Sequence, residues 1–145
     1  MNKNDHKDRI IWTFFTIILP IMFGAFFYFL FCEDVIITRY LKELLKIQST
    51  IKMPRTKIFV FVRNNFLDGI WAFSFVNFFY VVFINNEKYF LLCSLIPLLF
   101  GILLEFLQYE KLIEGTGDLY DVIIEAVGSI IALVIVLNFK GRKRR

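Results

Sequence analysis

The chain has 145 residues, 58% of them hydrophobic and 19% aromatic, with 17 Lys and Arg against 13 Asp and Glu for a formal charge of +4. This is far too apolar for disorder, and its long uncharged stretches read as membrane spans. Two cysteines and one histidine, none adjacent, exclude a zinc finger, a CxxC redox motif and a disulfide scaffold.

Residues 10–32 form the first apolar run, longer than a signal-peptide core and followed by no small-residue cleavage site. It is expected to stay attached and to span, and bulky Phe31 before Cys32 speaks against a lipoprotein signal. Residues 33–65 form a long connection. Within it Ile36, Ile37, Tyr40, Leu41, Leu44, Leu45 and Ile47 recur at helical spacing, with Arg39, Lys42, Glu43 and Lys46 on the other face. That pattern predicts an amphipathic helix, lying in the membrane interface or capping the bundle. After Pro54, residues 58–62 are apolar but stopped by Arg63, Asn64 and Asn65, and read as interfacial or re-entrant.

Three more spans follow, at residues 66–84, 89–108 and 119–139, each near the roughly 20 residues that a membrane crossing needs. Asn85 to Lys88 make a polar turn between the second and third. Residues 109–118, with Gly115 and Gly117, separate the third from the fourth. The expected fold is all-α: a single polytopic membrane domain over residues 1–145, with four transmembrane helices in up-down-up-down order and an interfacial helix between the first two. Cys32 and Cys93 then lie near opposite ends and cannot pair. The basic tail, residues 140–145, is expected to anchor on anionic lipid rather than bind nucleic acid. Positive charge is nearly balanced between the two sides, but Lys3, Lys7, Arg9 and the tail abut their spans, which favours cytoplasmic termini.

In this order the end of the first span, the start of the second, the end of the third and the start of the fourth share one membrane face. Asp68, Glu105, Gln108, Asp118, Asp121 and Glu125 fall on it. Pro97, Gly101, Glu105 and Gln108 make one helical stripe; Asp121, Glu125, Gly128 and Ala132 make another. Small residues permit close helix approach and ionisable ones turn from lipid, so the third and fourth spans are expected to pack along these stripes. Asp118 and Asp121 fit helix capping, as Asp68 does for the second span. Glu125, seven residues past Asp118, and Glu105, a turn before the end of its span, do not. A carboxylate at mid-membrane costs on the order of 3 kcal/mol, which points to a working role. Ser74 and Asn77 read as interhelical hydrogen-bonding groups, and Trp12 and Trp71 as interface anchors. Thr116 and Ser129 have no nearby His to activate a hydroxyl.

Three segments resemble the small VanZ-like integral membrane family. Asn65-Phe66-Leu67-Asp68-Gly69-Ile70-Trp71 resembles its Leu-Pro-Asp-x-Leu-Trp segment, and Glu105-Phe106-Leu107-Gln108 its Glu-x-x-Gln. Gly115-Thr116-Gly117-Asp118-Leu119-Tyr120-Asp121, with Gly128 after it, resembles its Gly-Thr-x-Asp-x-x-Asp and later glycine. Phe66 stands where the family has proline, and Lys111 is the only basic residue of the last loop, where some members carry arginine. The resemblance implies a multi-pass protein of the bacterial cytoplasmic membrane, acting at the cell envelope in a family named for glycopeptide resistance.

Three functions compete. The first is a non-enzymatic envelope protein holding a lipid or amphiphile at Asp68, Trp71, Glu105, Gln108, Thr116, Asp118, Asp121 and Glu125, with no cofactor. The second is an enzyme in which Glu105, Asp118, Asp121 and Glu125 hold Mg²⁺ or Ca²⁺ against a lipid phosphate. The third is a membrane subunit that packs on a partner protein through the interfacial helix. The lack of a His-activated nucleophile favours the first.

Overall fold

The computed structural model describes residues 3–31, 36–46, 56–113 and 117–143. Cys32, Ile47, Gly115, Thr116, Arg144 and Arg145 lie outside the described residues. Among those described there is no strand. Helix α1 covers Lys3–Thr13, a π-helical turn Phe14–Ile18, and α2 Leu19–Phe31; α3 is Ile36–Leu44 and α4 Lys57–Val82. Helices α5, Glu87–Cys93, and α6, Ile96–Tyr109, precede α7, Leu119–Lys143. Four stretches are long and apolar enough to cross a membrane: His6–Phe31, Lys57–Val82, Glu87–Tyr109 and Leu119–Gly141. They mark a multi-pass membrane protein.

Prolines explain the two irregularities in the apolar helices. Leu19 N–H donates to Phe14 O, an i to i−5 bond immediately ahead of Pro20. Pro20 has no N–H and its ring crowds the preceding turn, so the ladder is shifted there. The third apolar stretch, expected to be continuous, is interrupted at Ser94 and Leu95, ahead of Pro97. Leu95 N–H bonds to Leu92 O at 3.3 Å, one residue short of the usual partner. The hydroxyl of Ser94 donates to Leu91 O at 2.8 Å and satisfies the carbonyl that shift releases.

One sequence-based boundary changes. Helix α4 begins at Lys57 and runs through residues 58–65, which are therefore neither a separate interfacial segment nor re-entrant. Arg63, Asn64 and Asn65 are polar but not helix breakers, and no Gly or Pro lies between Lys57 and Asp68. Asp68 consequently sits in the fourth turn of α4 and does not cap it. The helix after Pro97 ends at Tyr109, before the loop glycines. Lys111, with a φ of 57°, takes the left-handed conformation that closes it, and Leu112 N–H reaches back to Leu107 O at 2.9 Å.

Helices α4 and α7 form the principal interface. A Cβ at Gly128 would lie 2.3 Å from Gly69 O, so the two backbones touch where neither residue has a side chain. Further along, Val76 and Tyr80 of α4 and Ala132 and Val136 of α7 join Phe90 of α5 in the buried core. Trp12 also packs there, 5.2 Å from the Tyr80 ring and 4.5 Å from Phe139, and its Nε1 donates to Asn77 Oδ1 at 3.1 Å. Trp12 thus joins helices, its indole N–H finding an acceptor on α4. Asn77 is interhelical as expected, and it also donates to Phe73 O. Lys140 Nζ lies 5.0 Å from the Phe90 ring centre and 5.5 Å from that of Tyr80, covering this end of the core with a cation.

The helix α7 stripe divides between two neighbours. Glu125 faces Gly101 of α6, whereas Gly128 faces α4. Positions three apart on a helix are 60° apart around its axis, enough for α7, wedged between two helices, to present one to each. The expected packing of a single stripe against the third span is corrected accordingly. In an unfolding titration, Gly128→Ala should cost about 2 kcal/mol, since backbone must move to admit the methyl. Gly141→Ala, with nothing within 4 Å of its Cβ, should cost nothing; equal effects would refute the contact.

Candidate functional site

The acidic residues come from three helices. Helix α4 supplies Asn65 and Asp68, α6 supplies Glu105, and Asp118, Asp121 and Glu125 lie just before and within the first turns of α7. Their meeting depends on local backbone. A Cβ on Gly117 would fall 2.7 Å from Tyr109 N and 2.9 Å from Glu105 O, so only glycine lets the chain lie against the end of α6 on its way into α7. That close approach brings the Asp118 N–H within 2.5 Å of Glu105 Oε2, to which it donates.

Asp118 then opens α7. Its Oδ1 accepts the Tyr120 N–H at 2.9 Å and its carbonyl accepts that of Asp121 at 3.1 Å, the bonding of a helix cap. Asp121, in the first turn, accepts from Asn65 Nδ2, a tie from α7 to the early part of α4. Asn65 is only 6% exposed. The sequence reading passed over it as a stop signal, although it lies one turn ahead of Asp68 on the same helix face.

Glu125 differs from the others. It is 7% exposed, and its Oε2 has no hydrogen-bond partner. The carboxylate is seated on the bare Cα of Gly101: a Cβ there would stand 1.4 Å from Oε2. Asp68, Glu105 and Asp121 are near enough to act on it electrostatically. Ser129, one turn further on α7, is also buried with an unpartnered hydroxyl, as is Ser74 on α4. A buried acceptor without a donor carries a desolvation cost of about 1–3 kcal/mol, more for a charged group.

The structure therefore brings together Asp68, Glu105, Asp118, Asp121 and Glu125. Gln108 is half-buried on the last turn of α6, where its carbonyl accepts the Lys111 N–H at 2.9 Å. Trp71 is exposed and packs at a tilt against Phe75, with ring centres 4.2 Å apart. Among the described residues no three His, Cys, Asp or Glu side chains converge closely enough to hold a metal ion. The arrangement offers hydrogen-bond acceptors and negative charge, suited to an N–H or cationic partner.

Fold and site together define an all-helical, multi-pass membrane protein with carboxylates gathered where α4, α6 and α7 meet. No known family matches the chain, and no curated protein or solved structure does so either. Gly101→Ala should displace the Glu125 carboxylate and destabilise by about 1–3 kcal/mol, whereas the same change in a Glu125→Ala background should cost less than about 0.5 kcal/mol. A double-mutant cycle of unfolding midpoints measures this coupling; additive effects would show that Glu125 does not occupy the Gly101 surface.

Proposed function

We propose that the chain is a VanZ-like envelope protein of the bacterial cytoplasmic membrane, without catalytic activity. Its acidic pocket binds the cationic or hydrogen-bond-donating head of a lipid or amphiphile. The observation that carries this reading is the buried Glu125 carboxylate, with Oε2 unpartnered and three further carboxylates nearby. A structural carboxylate would be expected to find its donor within the fold; a receptive one leaves that place for a ligand.

In the same reading the four spans alternate up-down-up-down, α3 lies in the interface, and both termini are cytoplasmic. The contacting pairs support the alternation. Asn65 with Asp121 and Gly69 with Gly128 rise together along α4 and α7, while Trp12 pairs with Asn77 and Gly24 with Leu67 in opposite senses along the first two spans. Tyr40, Leu41, Leu44 and Leu45 are exposed on and just after α3, as a helix lying in lipid headgroups requires. Alternation puts the carboxylates at the membrane face opposite the termini.

Dodecylamine, a single-chain cation, is a suitable probe for the full-length protein in a neutral detergent. A ligand at one hundred times its Kd stabilises by about 2.7 kcal/mol, so the melting temperature should rise with dodecylamine and not with dodecanoate. Glu105→Gln and Glu125→Gln should fold, since amides keep hydrogen-bonding capacity without the charge, and should lose most of the rise. An equal rise in both variants would overturn the proposal. A rise with Mg²⁺ or Ca²⁺ that both amides abolish would overturn it in favour of the metal-dependent enzyme.

A further inference from the structure

A second feature lies apart from the carboxylates, along the first apolar helix. A cavity of about 380 Å³ is lined by His6, Arg9, Ile10, Thr13, Phe14 and Ile18, all from α1 and the π-helical turn. The lining is graded. His6, Arg9 and Thr13 supply donors at one end, and Ile10, Phe14 and Ile18 continue as an apolar surface. From His6 to Ile18 the helix rises about 18 Å, over half of a hydrocarbon core of about 30 Å. Arg9, one of the lining residues, has an Nε that is shielded from solvent and has no hydrogen-bond partner. Ile10, Phe14 and Ile18 are exposed, at 57%, 45% and 44%.

We propose that this cavity binds one anionic phospholipid, with the phosphate on Arg9, assisted by His6 and Thr13, and an acyl chain along Ile10, Phe14 and Ile18. The occupant is a lipid rather than free phosphate because the polar and apolar linings are continuous and run along the axis of a helix fit to cross a membrane. Guanidinium suits the phosphate: it is permanently charged and offers several N–H donors in a fixed fork. An arginine a turn inside the end of a span can extend its head towards the headgroups while its stem stays apolar. The irregular turn contributes as well. Pro20 shifts the hydrogen-bond ladder in the stretch that carries Phe14 and Ile18, and such π segments often mark ligand sites.

Native mass spectrometry of the full-length protein in dodecyl maltoside, with equimolar phosphatidylglycerol and phosphatidylcholine, tests this. The wild type should retain the anionic lipid over the zwitterionic one by about five-fold, the factor one basic residue near a headgroup supplies. Arg9→Gln should bring the ratio close to one, and Arg9→Lys should keep part of it. Lys88→Gln, in the first turn of α5, should leave it unchanged. Phe14→Ala, on the exposed face, should lower retention of both lipids and serves if Arg9→Gln does not fold. Millimolar inorganic phosphate should not displace the lipid. An unselective wild type, an Arg9→Gln variant as selective as the wild type, or displacement by phosphate would each overturn the proposal.

Discussion

The backbone contact between Gly69 and Gly128 is the constraint on which the remaining geometry depends. Between apolar helices in a membrane there is little hydrophobic force to draw one against the other, because lipid is as apolar as the side chains. Close packing of small residues has to supply the attraction, and here the missing side chain of Gly128 lets α7 lie directly against the Gly69 backbone of α4. With these helices fixed in register, Asn65 reaches Asp121 and the buried residues from Val76 to Val136 close over one another.

The two ends of this packed pair differ in chemistry. Towards the ends of α4 and α7 the core is aromatic, with Trp12, Tyr80, Phe90 and Phe139 in contact and Lys140 over two of the rings. Towards their beginnings, carboxylates from three helices gather around polar ties. A fold that invests its apolar contacts at one end tolerates costly polar groups at the other, and local departure from good packing is a familiar feature of functional sites. Glu125 is the extreme case. It is buried on the only kind of residue that leaves room for it, a glycine, and its Oε2 has no hydrogen-bond partner.

Much of this was legible in the sequence. Four apolar segments announced four membrane-length helices, because hydrophobic length is a strong signal with few competing explanations. Part of the acidic arrangement was legible too: position along the spans puts the end of α6 beside the start of α7, where Asp118 bonds to Glu105, and Asp118 caps α7 as its sequence position implied. What escaped was pairwise contact. Nothing in the run Arg63-Asn64-Asn65 shows that the helix continues through it, since polar residues inside a helix resemble a boundary when only hydropathy is read. The hydrogen bond from Trp12 to Asn77 was not legible because the two residues are far apart in the chain. The Gly128 contact was assigned to the wrong neighbour, because a stripe gives the facing surface of a helix and not the identity of what packs there.

The central claim is that the early turns of α4 and α7 lie side by side, with Asn65 against Asp121 and Glu125 enclosed beyond them. Thiol cross-linking tests it most directly. In protein with Cys32 and Cys93 replaced by Ser, the pair Asn65→Cys and Asp121→Cys should be joined within one chain by a short bis-maleimide, while Asn65→Cys with Leu137→Cys, at the far end of α7, should not. Reaction of the distant pair with the near pair inert would contradict the register of the two helices and with it the assembly of the carboxylates.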